Sequence, residues 1–329
     1  MMKKLLHRLL LFVALVLAAW ADAHGQADAQ LSQYWSIPTY YNPAASGATD
    51  YLRINGGARL QWLGIENAPQ SFLGQVDMPL NLLGKRIGVG AGLQAETLGL
   101  FSNFDIDVQF SYKLKLLKGE LSIGAQVGYF EQSFKGSEVE VPDDDGYHDS
   151  NDTGIPTQDL KGGTVDLSAG VYYTHKYFWV GVSGLHLLAP TVKMSLEGSE
   201  STASQEYESS LPRTLYFMGG SNIELKNTLF ELQPSLMVKT DFSSFVAEIT
   251  ARARYNKFLS FGVGYRWNDA IMVMAAAEIK NFFVGYAYDY PLSAISKASM
   301  GSHELMVGYK MKLDFSGKNK NKHRSIRIM

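Results

Sequence analysis

Ser302, His303 and Glu304 stand side by side near the end of the chain. Serine, histidine and a carboxylate are the residue types of a nucleophilic triad, in which the imidazole takes the hydroxyl proton and the carboxylate orients the imidazole. Neighbours on a strand point to opposite faces, so these three cannot form a triad among themselves. A second group, Asp149-Ser150-Asn151-Asp152-Thr153-Gly154, partly mimics a calcium loop. Thr153 takes its fifth position, however, and Leu160 stands where the bidentate glutamate belongs. His175 falls in a short turn and His186 at a strand end, where solvated or hydrogen-bonded histidines are ordinary. The chain has no cysteine, which removes Cys-based zinc sites and disulfide staples. No glycine-rich loop leads from a strand into a helix to cradle phosphate. We therefore expect no catalytic residues, no cofactor and no metal.

The elements that carry these residues have a period of two. In the stretch from Phe258, Leu259, Phe261, Val263, Tyr265 and Trp267 alternate with Ser260, Gly262, Gly264 and Arg266. From Phe283, Val284, Tyr286, Tyr288 and Tyr290 alternate with Gly285, Ala287 and Asp289, and the same rhythm runs from Arg86 and from Glu304. One face is steadily apolar and aromatic; the other is small or polar. Strands of this kind, about 10 residues long, read as an all-β, transmembrane antiparallel β-barrel with its apolar face to lipid. Among 329 residues, 31 glycines and 18 tyrosines fit that class, and beyond the N-terminus no apolar run reaches the length of a spanning helix. With 30 basic against 32 acidic residues there is no basic excess for nucleic acid.

Fourteen strands are expected, at 51–62, 70–78, 86–97, 102–115, 119–133, 163–174, 177–186, 211–223, 229–240, 244–254, 257–267, 269–279, 281–290 and 302–314. An even number returns the chain to the side on which it began, so the connections sort by parity. The long ones, 63–69, 134–162, 187–210 and 291–301, all fall at one end, the expected outer one. The six turns at the other, periplasmic end are short and carry Lys85, Lys118, Lys176, Lys226, Lys257 and Lys280 at or beside their tips. Charge divides along the same axis. Loop 134–162 holds Glu138, Glu140, Asp143, Asp144, Asp145, Asp149, Asp152 and Asp159, and loop 187–210 holds Glu197, Glu200, Glu206 and Glu208. The C-terminal tail carries Lys318, Lys320, Lys322, Arg324 and Arg327, a candidate surface for a periplasmic partner. Solvation of the two mouths is the simpler meaning of the same pattern.

Upstream, Lys3, Lys4 and Arg8 precede the apolar run 9–19 and the small-x-small site Ala21-Asp22-Ala23, the layout of a signal peptide. Cleavage after Ala23 would leave 27 basic and 31 acidic residues. The expected organisation is a signal peptide at 1–23, an N-terminal segment at 24–50, an outer-membrane barrel at 51–315 and a basic tail at 316–329, with both termini periplasmic. The segment 30–47 is irregular, because Pro38 and Pro43 deny it a long helix or a central strand. Its aromatics, Tyr34, Trp35, Tyr40 and Tyr41, must bury against the lumen or a partner. Extended, some 20 residues reach on the order of 65 Å, enough to thread the lumen and plug it.

Gln33-Tyr34, then Tyr41-Asn42-Pro43-Ala44 and Gly47, together with Gly301-Ser302-His303-Glu304 and the Lys/Arg-rich end, resemble the PorP/SprF family of Bacteroidota outer-membrane proteins. Leu31, Trp35 and Ala45-Ser46 depart from that family's usual residues without touching the Asn-Pro core. The resemblance implies a non-enzymatic component of the type IX secretion system, which also supports gliding motility in some relatives. Its implied partners are components of the periplasmic apparatus and substrates bearing a type B C-terminal domain. Without the resemblance, the barrel and its small, polar inward face would equally suit a diffusion porin or nutrient channel.

Overall fold

The computed structural model describes residues 28–82, 84–139, 156–196 and 207–313. The expected signal peptide, the acids Glu140 to Asp152, Glu197, Glu200 and Glu206, and the tail from Lys318 to Arg327 lie outside these residues.

Fourteen antiparallel strands close into one barrel. They are β1 Tyr51–Leu60, β2 Gln70–Leu82, β3 Lys85–Leu98, β4 Phe101–Leu116, β5 Gly119–Phe134, β6 Leu160–Thr174, β7 Phe178–Leu185, β8 Thr214–Ser221, β9 Phe230–Thr240, β10 Phe245–Tyr255, β11 Leu259–Arg266, β12 Ala270–Ile279, β13 Phe282–Pro291 and β14 Ser302–Lys312. Each strand pairs with its neighbour in sequence, and the seam is closed by β1 against β14 from Tyr51↔Lys312 to Leu60↔His303. Their alternation follows the sequence. Phe261, Val263, Ile249, Ile271, Val284 and Leu305 are exposed on the outside, while Glu248, Arg266, Met272, Asp289 and Glu304 are buried inside. An exposed apolar band of this extent is a lipid-facing surface. No helix among the described residues is long and apolar enough to cross a membrane.

Ring pairs mark both rims. Phe101 opposes Phe134 at the long-loop end, and Phe230 opposes Tyr255 and Phe282 opposes Tyr309 at the short-turn end, with centroids 4.9–5.0 Å apart. Cross-strand aromatic pairs stabilise the sheet and suit the membrane interface. The short turns are tight: Leu117-Lys118 and Asn256-Lys257 hold positive φ at both positions, the mirror-image turn that matches strand twist.

Two prolines have different effects. β2 continues past Pro79 to Leu82, beyond the expected end at 78, because its pairing to β1 has already ended at Asp77. Pro234 lies inside β9, where it removes a ladder donor. Opposite it the pairing of β8 lapses at Ser221 and Asn222 and resumes in the same register at Ile223↔Leu232. The stretch expected as a plain loop at 187–210 contains a hairpin, Thr191–Leu196 with Tyr207–Ser210, beside the start of β6. Val192 and Met194 give it a buried face against Phe130, Leu160 and Leu211.

Candidate functional site

The glycines of the inward face determine what the lumen can hold. An added Cβ at Gly124 would lie 2.5 Å from Ala44, and one at Gly181 2.9 Å from the Asn42 amide. Carbons at Gly88, Gly170 and Gly285 would collide with Ser46, Asn42 and Gln33. Residues 28–47 therefore run directly against the barrel wall. The first described residue of the segment, Asp28, lies beside His186 at the long-loop end, and the segment leaves through Asp50, whose carbonyl accepts from Leu313 N at the short-turn end. It contains a single helical turn, Pro38–Tyr41, between two 3-10 turns, each limited by the prolines that begin them or follow them.

Apolar and aromatic contacts hold its middle. Tyr34, Ile37 and Tyr41 are wholly buried with Met218, Met237, Met306 and Tyr216. Trp35 lies 3.4 Å from the Arg252 guanidinium and meets Phe283 edge-on at 5.7 Å. Thioethers adapt to aromatic rings and attract them. The inward methionines correct the expectation that the inner face is only small or polar: phase placed them inward, but only the segment explains why apolar residues belong there.

Buried charge fixes the end near β14. Glu304 accepts the backbone N–H groups of Ser32 at 2.7 Å and Gln33 at 2.8 Å. Arg59 donates to Glu304 at 3.2 Å, to Asp289 at 2.7 Å and to the Ser32 hydroxyl at 3.1 Å. Arg266 adds Glu248 at 2.8 Å, Asp269 at 2.9 Å and Ser32 at 3.0 Å. Ser32 thus sits between two guanidiniums and donates its own hydroxyl to Asp289. Such a buried network is costly to break from one side, because the remaining charge is left unpaired.

The Asn-Pro turn is held by other means. The Asn42 side chain accepts from Ala44 N at 2.9 Å and donates to the carbonyls of Val171 and Val182, an opposed pair of β6 and β7. Pro43 opens the following turn, and Gly47, at φ +59°, donates to Asp77 at 2.8 Å. Arg53 in turn chelates Asp77 and reaches the carbonyl of Ala45. Gly47 packs 2.7 Å from Gly88 when a Cβ is built on it, and its positive φ favours glycine independently. At the far end His186 bridges Asp28 at 2.8 Å and Asp166 at 3.0 Å, while Tyr216 and Lys239 also hold Asp28. Burial would push the Asp28 carboxyl up; His186 and Lys239 overcome it and hold the group well below the usual carboxylate range. Burial likewise opposes charge on His186, but Asp28 and Asp166 raise it to about 10.

The structure brings the two sequence motifs together: Gln33 and Tyr34 of the segment, with Glu304 of the last strand, belong to one constellation. Ser302 instead accepts from Trp62 N, and His303 points outward to Tyr286 at 2.6 Å. The triad residue types do not converge. Sequence reasoning missed Arg59, Asp77, Glu248, Arg266 and Asp289, whose available signal was a charge at the inward phase of an otherwise apolar strand. It also read His186 as ordinary, since its partners are 20 and 158 residues away. Among the described residues no group of His, Cys, Asp and Glu has the geometry of a metal site.

A solved barrel shares the architecture. The toluene transporter TbuX of Ralstonia pickettii superposes with a TM-score of 0.50 at 12% identity, over 84% of this chain and 93% of that one. The translocator domain of the autotransporter NalP from Neisseria meningitidis gives 0.45 at 12% identity, over 85% and 94%. Identities this low speak to fold alone. No curated protein sequence matches the chain. The family described as type IX secretion system membrane protein PorP/SprF matches residues 23–309. With most of its length inside that match, a closed barrel of fourteen strands and both end motifs joined in one luminal site, this chain belongs to the PorP/SprF family of type IX secretion system membrane proteins.

Proposed function

We propose that the protein is a non-enzymatic outer-membrane scaffold of the type IX secretion system. Its short-turn end faces the periplasm and docks on the secretion or gliding apparatus, and the barrel supports secretion or surface anchoring of substrates with a type B C-terminal domain. Residues 28–47 plug the lumen, so that the barrel acts as a closed platform and not as a diffusion pore.

One observation carries this reading. The segment is attached to the inner wall at both ends and along its middle: to His186 and Lys239, to Glu304 and Arg59, and to Asp77. At these points the charged inward side chains are engaged by the segment itself. The lysines of the short turns and the tail residues Lys318, Lys320, Lys322, Arg324 and Arg327 supply the basic surface for an apparatus component.

The test is a gentle-detergent pull-down of the tagged protein from its own membranes, with gene deletion alongside. Recovery of periplasmic ring components or a large substrate with a C-terminal sorting domain is expected, as is periplasmic stranding of type B substrates in the deletion. Recovery of the barrel alone in several detergents, with normal surface delivery of every such substrate, would overturn the proposal.

A further inference from the structure

Between the luminal segment and the long-loop end, the wall encloses a chamber of about 40 Å³. Five carboxylates line it, Asp28, Glu96, Asp105, Asp107 and Asp166, together with His186. The strands set this arrangement. Asp105 and Asp107 are two apart on β4 and so share its inward face. In register, Gly92 of β3, Asp107 of β4, Gly128 of β5 and Asp166 of β6 form one row across the sheet. Gly128 thus separates two carboxylates with no side chain of its own. A carbon at Gly92 would collide with Asp107 Oδ2 and the Gln75 amide, which lie over its backbone.

The acids exceed their partners. Among the described residues, Lys239 serves Asp28 and His186 serves Asp28 and Asp166. Glu96 receives the Ser71 hydroxyl and Asp107 the Gln109 amide. No lysine, arginine or histidine among the described residues forms an ion pair with Glu96, Asp105 or Asp107. Asp166, only 5% exposed, places both its hydrogen bonds on Oδ2, from His186 and Ser168. Its Oδ1 is buried with no partner. Among the described residues Glu96, Asp105 and Asp107 have no ion-pair partner, and a carboxylate withdrawn from water without one is unfavourable as an anion, so a cation entering the chamber would be stabilised there.

We propose that the chamber binds one primary ammonium group, presented by a lysine side chain of an extended polypeptide or by a small diamine. An ammonium is a compact point charge with three donors, suited to acceptors converging from several strands. A water needs about 10–15 Å³ on the same scale, so a space of about 40 Å³ takes an ammonium head with residual water. The site lies on the long-loop side of the segment. It stands whether or not the secretion role above is correct.

The test uses the intact protein in nanodiscs at physiological salt, by titration calorimetry. The probes are N-acetyl-Gly-Lys-Gly-amide, the same peptide with its lysine Nε-acetylated, and 1,5-diaminopentane. Saturable binding of the lysine peptide or the diamine at one site, with at least tenfold weaker binding of the acetylated peptide, is the expected result. Peptide binding alone identifies a polypeptide source and diamine binding alone a small-molecule source. Asp107→Asn should weaken the binding at least tenfold with the melting profile preserved. If that variant does not fold, the comparison of charged and acetylated peptides on the unmodified protein decides alone. Absence of saturable binding by both amines, or equal binding of the acetylated peptide, overturns the proposal. So does unchanged binding to a folded Asp107→Asn protein.

Discussion

Arg59 and Glu304 are direct partners across the seam where the first and last strands meet, and both hold Ser32. The luminal segment is therefore attached at the joint that closes the barrel. Replacing the guanidinium by an apolar chain, as in Arg59→Met, leaves Glu304 and Asp289 buried with fewer donors. We expect a loss of roughly 3–5 kcal/mol, the usual consequence of breaking a buried pair from one side. Urea unfolding in detergent reads it directly; an unchanged midpoint would show that the network contributes nothing to stability.

Close approach of the segment to the wall predicts a contrast between two glycines. A carbon added at Gly88 meets the carbonyl of Ser46, whereas one at Gly74 finds only Leu93, at 3.5 Å. Gly88→Ala should destabilise by about 1–3 kcal/mol, as overpacking does, while Gly74→Ala should stay within about 0.5 kcal/mol. Equal melting temperatures for the two variants would contradict a segment seated on β3.

The contact of His186 with Asp28 predicts a pH dependence with a definite sign. Because the folded-state value of His186 is raised to about 10, its stabilisation is complete below the unfolded value and is lost as pH rises through about 10. Asp28, shifted down, would lose its share only in strong acid. The stability difference between wild type and His186→Gln should be constant from pH 5 to 6 and shrink toward pH 11. Asp166, Tyr216 and Lys239 face the same pair and remain in both proteins, so the difference isolates the imidazole. A difference that grows with pH would refute the assignment.

The proposed occlusion of the lumen has an electrical readout. The intact protein should show no stable conductance in planar bilayers, and a variant lacking residues 28–47 should conduct. Steady conductance from the intact chain would restore the diffusion-porin reading.

Strand number, inward phase and the sorting of long and short connections were legible in the sequence, because a barrel wall imposes the same period on every strand and parity on every turn. The rhythm of Val284, Tyr286 and Tyr288 against Gly285, Ala287 and Asp289 needs no tertiary information. Locating Asp289 beside Arg59 and Ser32 does, since the three residues come from distant strands and a segment with no period of its own. The hairpin at Thr191–Leu196 was concealed for a related reason: its buried face exists only because β6 begins beside it. Gly124 and Gly170 looked like generic small inward residues, and their meaning came from Ala44 and Asn42 lying against them.

The passage of residues 28–47 from one end of the lumen to the other constrains biogenesis. A closed hydrogen-bonded ring offers no lateral way in, and an axle attached to that ring at Asp50 can enter only end-on or before the ring exists. Because Ser32 and Gln33 bind residues of both strands that form the final joint, the simplest order is that the segment associates with the incomplete sheet and becomes the template on which β1 and β14 find their register. The Asn-Pro segment would then act first as an assembly guide, retained inside the structure that it helped to close.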